Sequence, residues 1–293
     1  MYIKHVLVAN TIDDEVYVID SEEIMQSQNE GILLIIGGNE DKVGDCAILK
    51  KFVALAGGRS AKIAVLTTAT ELPREVGREY QLLFMKLGAE RVDIIHIADR
   101  VEASEQQTGK SFADYTGIFF TGGDQLRLTS ILGGSIVNRE IVACFKRGAV
   151  IAGTSAGASV MSQIMIVGGD SSETPKKSAI SLAQGMGLLE RVVIDQHFAQ
   201  RGRINRLLAV VAQNPNVLGI GIDEDTALLV ENNQCRVIGS QTVTIVDGRA
   251  ILHSNISESS RFEPLAITNV KLHLLPHGFG YDLCNRIPYA QHK

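Results

Sequence analysis

The sequence predicts an α/β protein in which a parallel sheet is covered by helices and followed by antiparallel strands. Two observations carry this. From Gly31 onward, apolar runs of strand length end in polar or glycine-rich turns and alternate with amphipathic segments. After residue 215 the texture changes to closely spaced β segments joined by Asn232-Asn233 and Asp247-Gly248 turns.

The strands expected in the first part are Leu33 to Ile36, Ile63 to Leu66, Val92 to His96, Gly117 to Phe120 and Val150 to Ala152. Helical stretches fall near 43–56, 75–87, 137–147 and 156–163. Two further apolar runs, Val192 to Ile194 and Val217 to Ile222, flank a helix that carries Leu207, Leu208, Val210 and Val211 on its apolar side. The antiparallel part is Ala227 to Val230, Cys235 to Ile238 and Val243 to Val246. Residues 1 to 30 alternate weakly (Val6, Val8, then Val16, Val18) before a polar stretch, so they are expected to form an extension. Residues 31 to 293 are expected to form one catalytic α/β domain, since no linker, repeat or low-complexity tract divides them.

Composition narrows the function classes. The chain has 293 residues, 45% hydrophobic and 21% charged, enough for a sizeable core. A net charge of −5 speaks against a broad nucleic-acid or anionic-membrane footprint and suits a cationic ligand. Cys46, Cys144, Cys235 and Cys284 are widely spaced without a C-x-x-C pair, and are expected to be reduced, buried thiols. Neither a signal-peptide pattern nor an apolar run of membrane-spanning length is present, so a cytoplasmic protein is expected.

The chemistry concentrates at strand ends, where open α/β sheets bind ligands. Val150-Ile151-Ala152 runs into Gly153-Thr154-Ser155-Ala156-Gly157 and then a helix, the context in which a G-x-S-x-G turn lifts a serine above the sheet. A small-residue strand-to-helix turn would read the same way, so a base and an acid must be found for Ser155. His197 ends the run Val192-Val193-Ile194, and His96, also at a strand end, is its rival. His5, His253, His273, His277 and His292 lie in terminal segments. For the acid, the run that stops at Asp223-Glu224-Asp225 offers three adjacent carboxylates that sequence logic does not separate. Arg203 and Arg206, three apart after the histidine, can share a helix face as a solvated charge run or as a clamp for a substrate carboxylate.

Five stretches in order resemble the cyanophycinases, within the serine peptidase family that also contains α-aspartyl dipeptidase. They are Gly37-Gly38-Asn39-Glu40-Asp41-Lys42, Phe120-Thr121-Gly122-Gly123-Asp124-Gln125, Gly153 to Ala158, Asp195 to Arg203, and Gly221 to Ala227. The resemblance covers residues 31 to about 250. It implies a flavodoxin-like fold similar to the class I glutamine amidotransferases and a triad of Ser155, His197 and Glu224. It also implies oxyanion donors at Ala156 and the Gly122-Gly123 loop, and a substrate pocket shaped by Gln125, Asp195, Gln196, Arg201, Arg203 and Arg206. The implied substrate is cyanophycin, a poly-aspartate carrying arginine on its side chains, with β-Asp-Arg as product and a homodimer as the working state. No cofactor and no metal are expected. Asn39 departs from the small residue expected at its position. A dipeptidase for short aspartyl peptides and a non-catalytic amidotransferase-like binding module are the alternatives. A cysteine-dependent glutaminase is disfavoured because the turn carries serine.

Overall fold

The computed structural model describes residues 11–12, 15–16, 31–106, 112–169, 174–177 and 180–290. Within residues 1 to 30, expected to form an extension, Thr11–Ile12 pairs antiparallel with Glu15–Val16, and the remainder, Val6, Val8 and Val18 included, lies outside the described set.

The first half builds the parallel sheet. Its strands are β1 (Leu33–Ile36), β2 (Lys62–Leu66), β3 (Arg91–Ile95), β4 (Gly117–Phe120) and β5 (Val150–Thr154), joined through α1 (Ala47–Leu55), α2 (Pro73–Lys86), α3 (Gln125–Leu132) and α4 (Ile136–Lys146). Strand β5 leads into the single turn α5 (Ala156–Ser159), shorter than the 156–163 expected. Every residue of β1, β4 and β5 is buried, which is why these strands read as unbroken apolar runs rather than alternating ones. Alternate side chains nevertheless go to different cores. Leu34, Ile36, Ile63, Val65 and Phe119 meet α1 and α2, while Leu33, Ile35, Leu66, Ile118 and Phe120 meet α3 and α4. The α1–α2 side is anchored by four aromatic rings, Phe52, Tyr80, Phe84 and Phe119, with centroids 4.6 to 5.7 Å apart.

Helix α3 was not anticipated. It is only eight residues long, with Leu128, Ile131 and Leu132 on its inner face, and Asp124 accepts from the N–H groups of Leu126 and Arg127 and so caps it, a start signal legible in Thr121-Gly122-Gly123-Asp124.

The second half supplies the expected antiparallel strands and divides them between two sheets. A hairpin of β6 (Ile164–Gly168) and β7 (Ser181–Gln184) is followed by β8 (Val192–Gln196), α6 (Ile204–Gln213), β9 (Leu218–Ile222), β10 (Thr226–Glu231), β11 (Gln234–Gly239) and β12 (Thr242–Asp247). Three later strands, β13 (Lys271–Pro276), β14 (Phe279–Asp282) and β15 (Ile287–Ala290), join these two sheets. Strands β10, β11, β14 and β15 extend the first sheet antiparallel from β1, giving nine strands in the order β15-β14-β11-β10-β1-β5-β4-β2-β3. The others form a separate four-stranded sheet, β8-β9-β12-β13, in which only β8 and β9 are parallel. Ile194, Ile220, Ile222, Val243 and Ile245 face the nine-stranded sheet, and Val193, Val246 and Phe198 face Leu207, Val210 and Val211 of α6. An apolar run buried on both faces does not say which sheet it joins, so β8 and β9 could be found in the sequence but not assigned.

The three cysteines Cys46, Cys144 and Cys235 are buried free thiols as expected, whereas Cys284 is exposed. It lies in the turn before Arg286, which ties the two sheets together. The Arg286 guanidinium donates to Asp247 Oδ1 at 2.7 Å and to the Asn216 carbonyl, with both charged side chains buried. Burial works to raise the Asp247 pKa, but the Arg249 N–H and the Arg286 guanidinium outweigh it and hold the carboxyl below its usual range. Arg286→Ala leaves that carboxylate buried with only the half-exposed Arg249 beside it. The expected loss, read by chemical denaturation, is about 3 kcal/mol.

Candidate active site

Four loops converge at the carboxyl ends of β1, β5, β8 and β9, where the two sheets meet. Ser155 follows β5, between β1 and β4 in the nine-stranded sheet. It adopts φ 54 and ψ −112, a conformation rare for a side-chain-bearing residue, as the sharp strand-to-helix turn of a nucleophile elbow demands. The turn closes only because Gly153 and Gly157 lack Cβ atoms: one on Gly153 would stand 2.4 Å from the Gly157 carbonyl oxygen, and one on Gly157 2.4 Å from that of Phe120. Gly122 lies against the serine, its Cβ position 3.5 Å from Ser155 Cβ. Ala156, fully buried, opens α5.

His197 leaves the end of β8 in the four-stranded sheet, and its N–H donates to the Gly37 carbonyl across the seam at 2.8 Å. Its Nε2 lies 2.9 Å from Ser155 Oγ and its Nδ1 2.7 Å from Glu224 Oε1. The tautomer that fits has Nδ1–H donating to the carboxylate and Nε2 accepting from the serine hydroxyl. The rival His96 bonds Thr67 beyond β2 and β3, three strands from β5, hence roughly 14 Å away.

The three adjacent acids have three separate tasks. Asp223 accepts from Ala199 N–H at 3.0 Å and from the Thr242 hydroxyl at 2.7 Å, and so holds the turn after the histidine. Asp225 accepts from Asp41 N–H at 2.9 Å and holds the glycine loop. Glu224 alone reaches the imidazole. Its carboxyl is held below its usual pKa by the hydrogen bond from His197 first and from Asn39 second. For His197, burial lowers the pKa, the Glu224 hydrogen bond opposes it, and the charges of Arg201 and Arg203 add to the lowering.

The expected pocket residues divide. Asp195 and Gln196 are buried at the end of β8, and Asp195 binds both Arg206, through Nε at 2.6 Å and a second N–H, and Arg203, at 3.2 Å. Arg203 also donates to the backbone and side-chain carbonyls of Gln196, and burial lowers its pKa to about 10 despite Asp195. Arg203 and Arg206 therefore clamp a carboxylate of their own chain, and of the three arginines only Arg201 is exposed. Gln125 opens α3 and donates to the Ile166 carbonyl.

A cleft of about 720 Å3 leads to Ser155 and His197, walled by Asn39, Lys42, Val43, Val76, Tyr80 and Gly122. Glu40 in its lining and Gly38 against the His197 ring are two groups for which sequence reasoning gave no role. Buried Glu40 accepts from the Thr154 hydroxyl at 2.6 Å and from the Tyr80 hydroxyl, pinning β5 one residue before the nucleophile to α2. Gly38 lies beneath the imidazole. A second basin, of about 630 Å3, lies at the amino ends of β8 and β9 beside Arg249 and Arg286 and holds none of these groups.

A serine, a histidine and a glutamate aligned at the carboxyl edge of an α/β sheet define a serine hydrolase. Residues 32–238 match the model of peptidase family S51, and the chain belongs to that family. It is 40% identical over 260 residues to the cyanophycinase of Geminocystis herdmanii (strain PCC 6308), covering 88% of this chain and 96% of that one. It is 42% identical over 257 residues to the cyanophycinase of Trichormus variabilis (strain ATCC 29413 / PCC 7937), covering 87% and 86%. A crystal structure of a peptidase from an acI-B1 Actinobacterium superposes with a TM-score of 0.64 at 20% identity, over 88% of this chain and 99% of that one. A putative peptidase E from Listeria monocytogenes EGD-e does so with 0.52 at 15%, over 72% and 100%. Both support the flavodoxin-like, amidotransferase-like fold.

Gly38 has φ +101, and a Cβ there would stand 2.3 Å from His197 Cε1 and 2.6 Å from Nε2. Gly38→Ala is expected to push the imidazole off the serine and lower kcat by roughly 100-fold, with the fold retained by circular dichroism. Because the neutral imidazole is the working form, activity is lost as pH falls through the His197 pKa. Burial and the Arg201 and Arg203 charges outweigh Glu224, so the acid limb of kcat/KM is expected below the ordinary histidine value of 6.5.

Proposed function

We propose that this protein is a serine-type exopeptidase that hydrolyses the aspartate backbone of cyanophycin and releases β-Asp-Arg through an acyl-enzyme. The observation that carries the reading is the Ser155–His197–Glu224 alignment, 2.9 and 2.7 Å, in a chain 40 to 42% identical to cyanophycinases over most of its length.

In this reading His197 Nε2 takes the Ser155 proton as Oγ bonds to the backbone amide carbonyl. The negative oxygen is held by the Ala156 N–H at the start of α5 and by the Gly122-Gly123 loop beside Ser155. The C–N bond then breaks, the imidazolium returns the proton to the departing amine, and the serine ester remains. Water, losing a proton to His197, attacks that ester; the acid is released and Ser155 recovers its hydrogen. Glu224 stays ionised throughout, as its lowered pKa favours, and steadies the imidazolium.

Polymer chemistry fits the electrostatics. Asp41 and Glu79 stand at the cleft of an acidic protein, which draws in the cationic arginine side chains of the substrate. Arg201, exposed near the histidine, would meet an aspartate carboxylate in this reading.

The test is clearing of insoluble cyanophycin with mass analysis of the products. Wild type is expected to clear the granules and release β-Asp-Arg, and Ser155→Ala to be slower by at least about 1,000-fold. Clearing by Ser155→Ala at the wild-type rate would remove the nucleophile from the scheme. Cleavage of short aspartyl peptides without clearing would assign the dipeptidase reaction instead.

A further inference from the structure

Glu224 sits on an open turn with 28% of its side chain exposed, and a carboxylate there has several rotamers open to it. Its backbone is steadied by its own N–H donating to Gln200 Oε1 at 3.1 Å, but that leaves the carboxyl free to turn. His197 occupies Oε1. Asn39 Nδ2 donates to Oε2 at 3.0 Å, and because an ionised carboxylate only accepts, the amide must present its NH2 group.

We propose that Asn39 is a positioning residue of the catalytic relay, acting through Glu224 to fix the angle at which the carboxylate meets His197. The inference rests on the hydrolase reading above and extends it by one residue.

The backbone is arranged for this task. Asn39 has φ 47, a left-handed conformation that glycine and asparagine tolerate best. The residues on either side are fixed from the Glu224 turn itself: the Gly38 carbonyl accepts from Asp225 N–H at 2.9 Å, and Asp41 N–H donates to Asp225 Oδ1 at 2.9 Å. Donor and acceptor are therefore held on two loops already bonded together, and the side chain has little left to lose when the bond forms. Glycine would keep the backbone but give no donor; aspartate would keep the shape but set an anion against an anion.

Exposed hydrogen bonds contribute little in water, and Asn39 is exposed. It is also a wall of the catalytic cleft, so substrate that fills the cleft removes that water and strengthens the bond when the imidazolium forms. The effect should therefore fall on kcat rather than on KM.

The experiment is a double-mutant cycle on cyanophycin hydrolysis with wild type, Asn39→Gly, Glu224→Ala and the double variant, and Ser155→Ala beside them. Asn39→Gly is expected to lower kcat roughly 5-fold with KM changed less than 2-fold, and to have no further effect once Glu224 is alanine. Asn39→Asp, nearly isosteric, is expected to lose more than Asn39→Gly, and it carries the test if the glycine variant does not fold. Wild-type kcat in Asn39→Gly, or the same fold-loss with and without Glu224, would overturn the proposal while leaving the triad intact. Full turnover by Ser155→Ala would sink the hydrolase reading itself, and this inference with it.

Discussion

The structure depends on a seam of backbone hydrogen bonds between the glycine loop after β1 and the two chain segments that carry base and acid. Gly37 N–H donates to the Thr226 carbonyl at 2.9 Å, His197 N–H to Gly37, and Asp225 N–H to Gly38. Phe198 N–H adds a bond to the Ile222 carbonyl at 3.1 Å, joining the histidine segment to the strand that leads to the acid. Each such bond is worth only about 1 kcal/mol net, but together they fix where side chains from two different sheets meet. A triad needs reacting atoms placed within a few tenths of an ångström, and side-chain contacts alone would leave it looser. The seam therefore explains why one residue on each of the glycine, histidine and acid loops can be left-handed without drifting: Asn39, His197 and Asp225 all have positive φ, and each is within a residue of one of these bonds.

Electrostatics beneath the site point the same way. Two buried arginines share one buried aspartate, which leaves a cationic excess under β8, at the root of the histidine. Burial first, and the charges of Arg201 and Arg203 after it, favour neutral imidazole in the resting enzyme, while Glu224 favours the imidazolium that forms during the reaction. The opposing influences come from different groups, burial with the charges of Arg201 and Arg203 on one side and Glu224 on the other, so the base is held ready and its charged form is still stabilised. Buried charge of this kind is tolerated because every partner is bonded within the cluster: Asp195 takes both guanidinium groups and Gln196 takes the remainder.

Much of this was legible in the residues. The nucleophile turn announced itself because Gly153 and Gly157 must be glycine, and His197 and the acids stood out because apolar runs stop at them. What could not be read were relations across sheets. Glu224 was inseparable from Asp223 and Asp225 without the family resemblance, since their tasks differ only in which loop each one faces. Arg203 and Arg206 carry the spacing of a carboxylate clamp, and the carboxylate they hold proves to be Asp195, eight and eleven residues back in the chain. Asn39 was visible as a departure, but its bond to Glu224 spans 185 positions and no local pattern encodes it. Helix α3 was missed because it is only two turns long, so the spacing of Leu128, Ile131 and Leu132 is too short a pattern to stand out, and its clearest start signal is the Asp124 cap.

The division of the triad between two sheets has a consequence for how the protein comes into being. The nucleophile strand and its whole parallel sheet precede the base and acid in the chain, so on the ribosome the elbow is made well before the segments that activate it. Ser155 is then an unremarkable alcohol until β8, β9 and the turn at Glu224 have emerged and bonded to the glycine loop. An enzyme that cuts amide bonds is thereby kept inert through most of its own synthesis, with hydrolytic power arriving only as the second sheet docks.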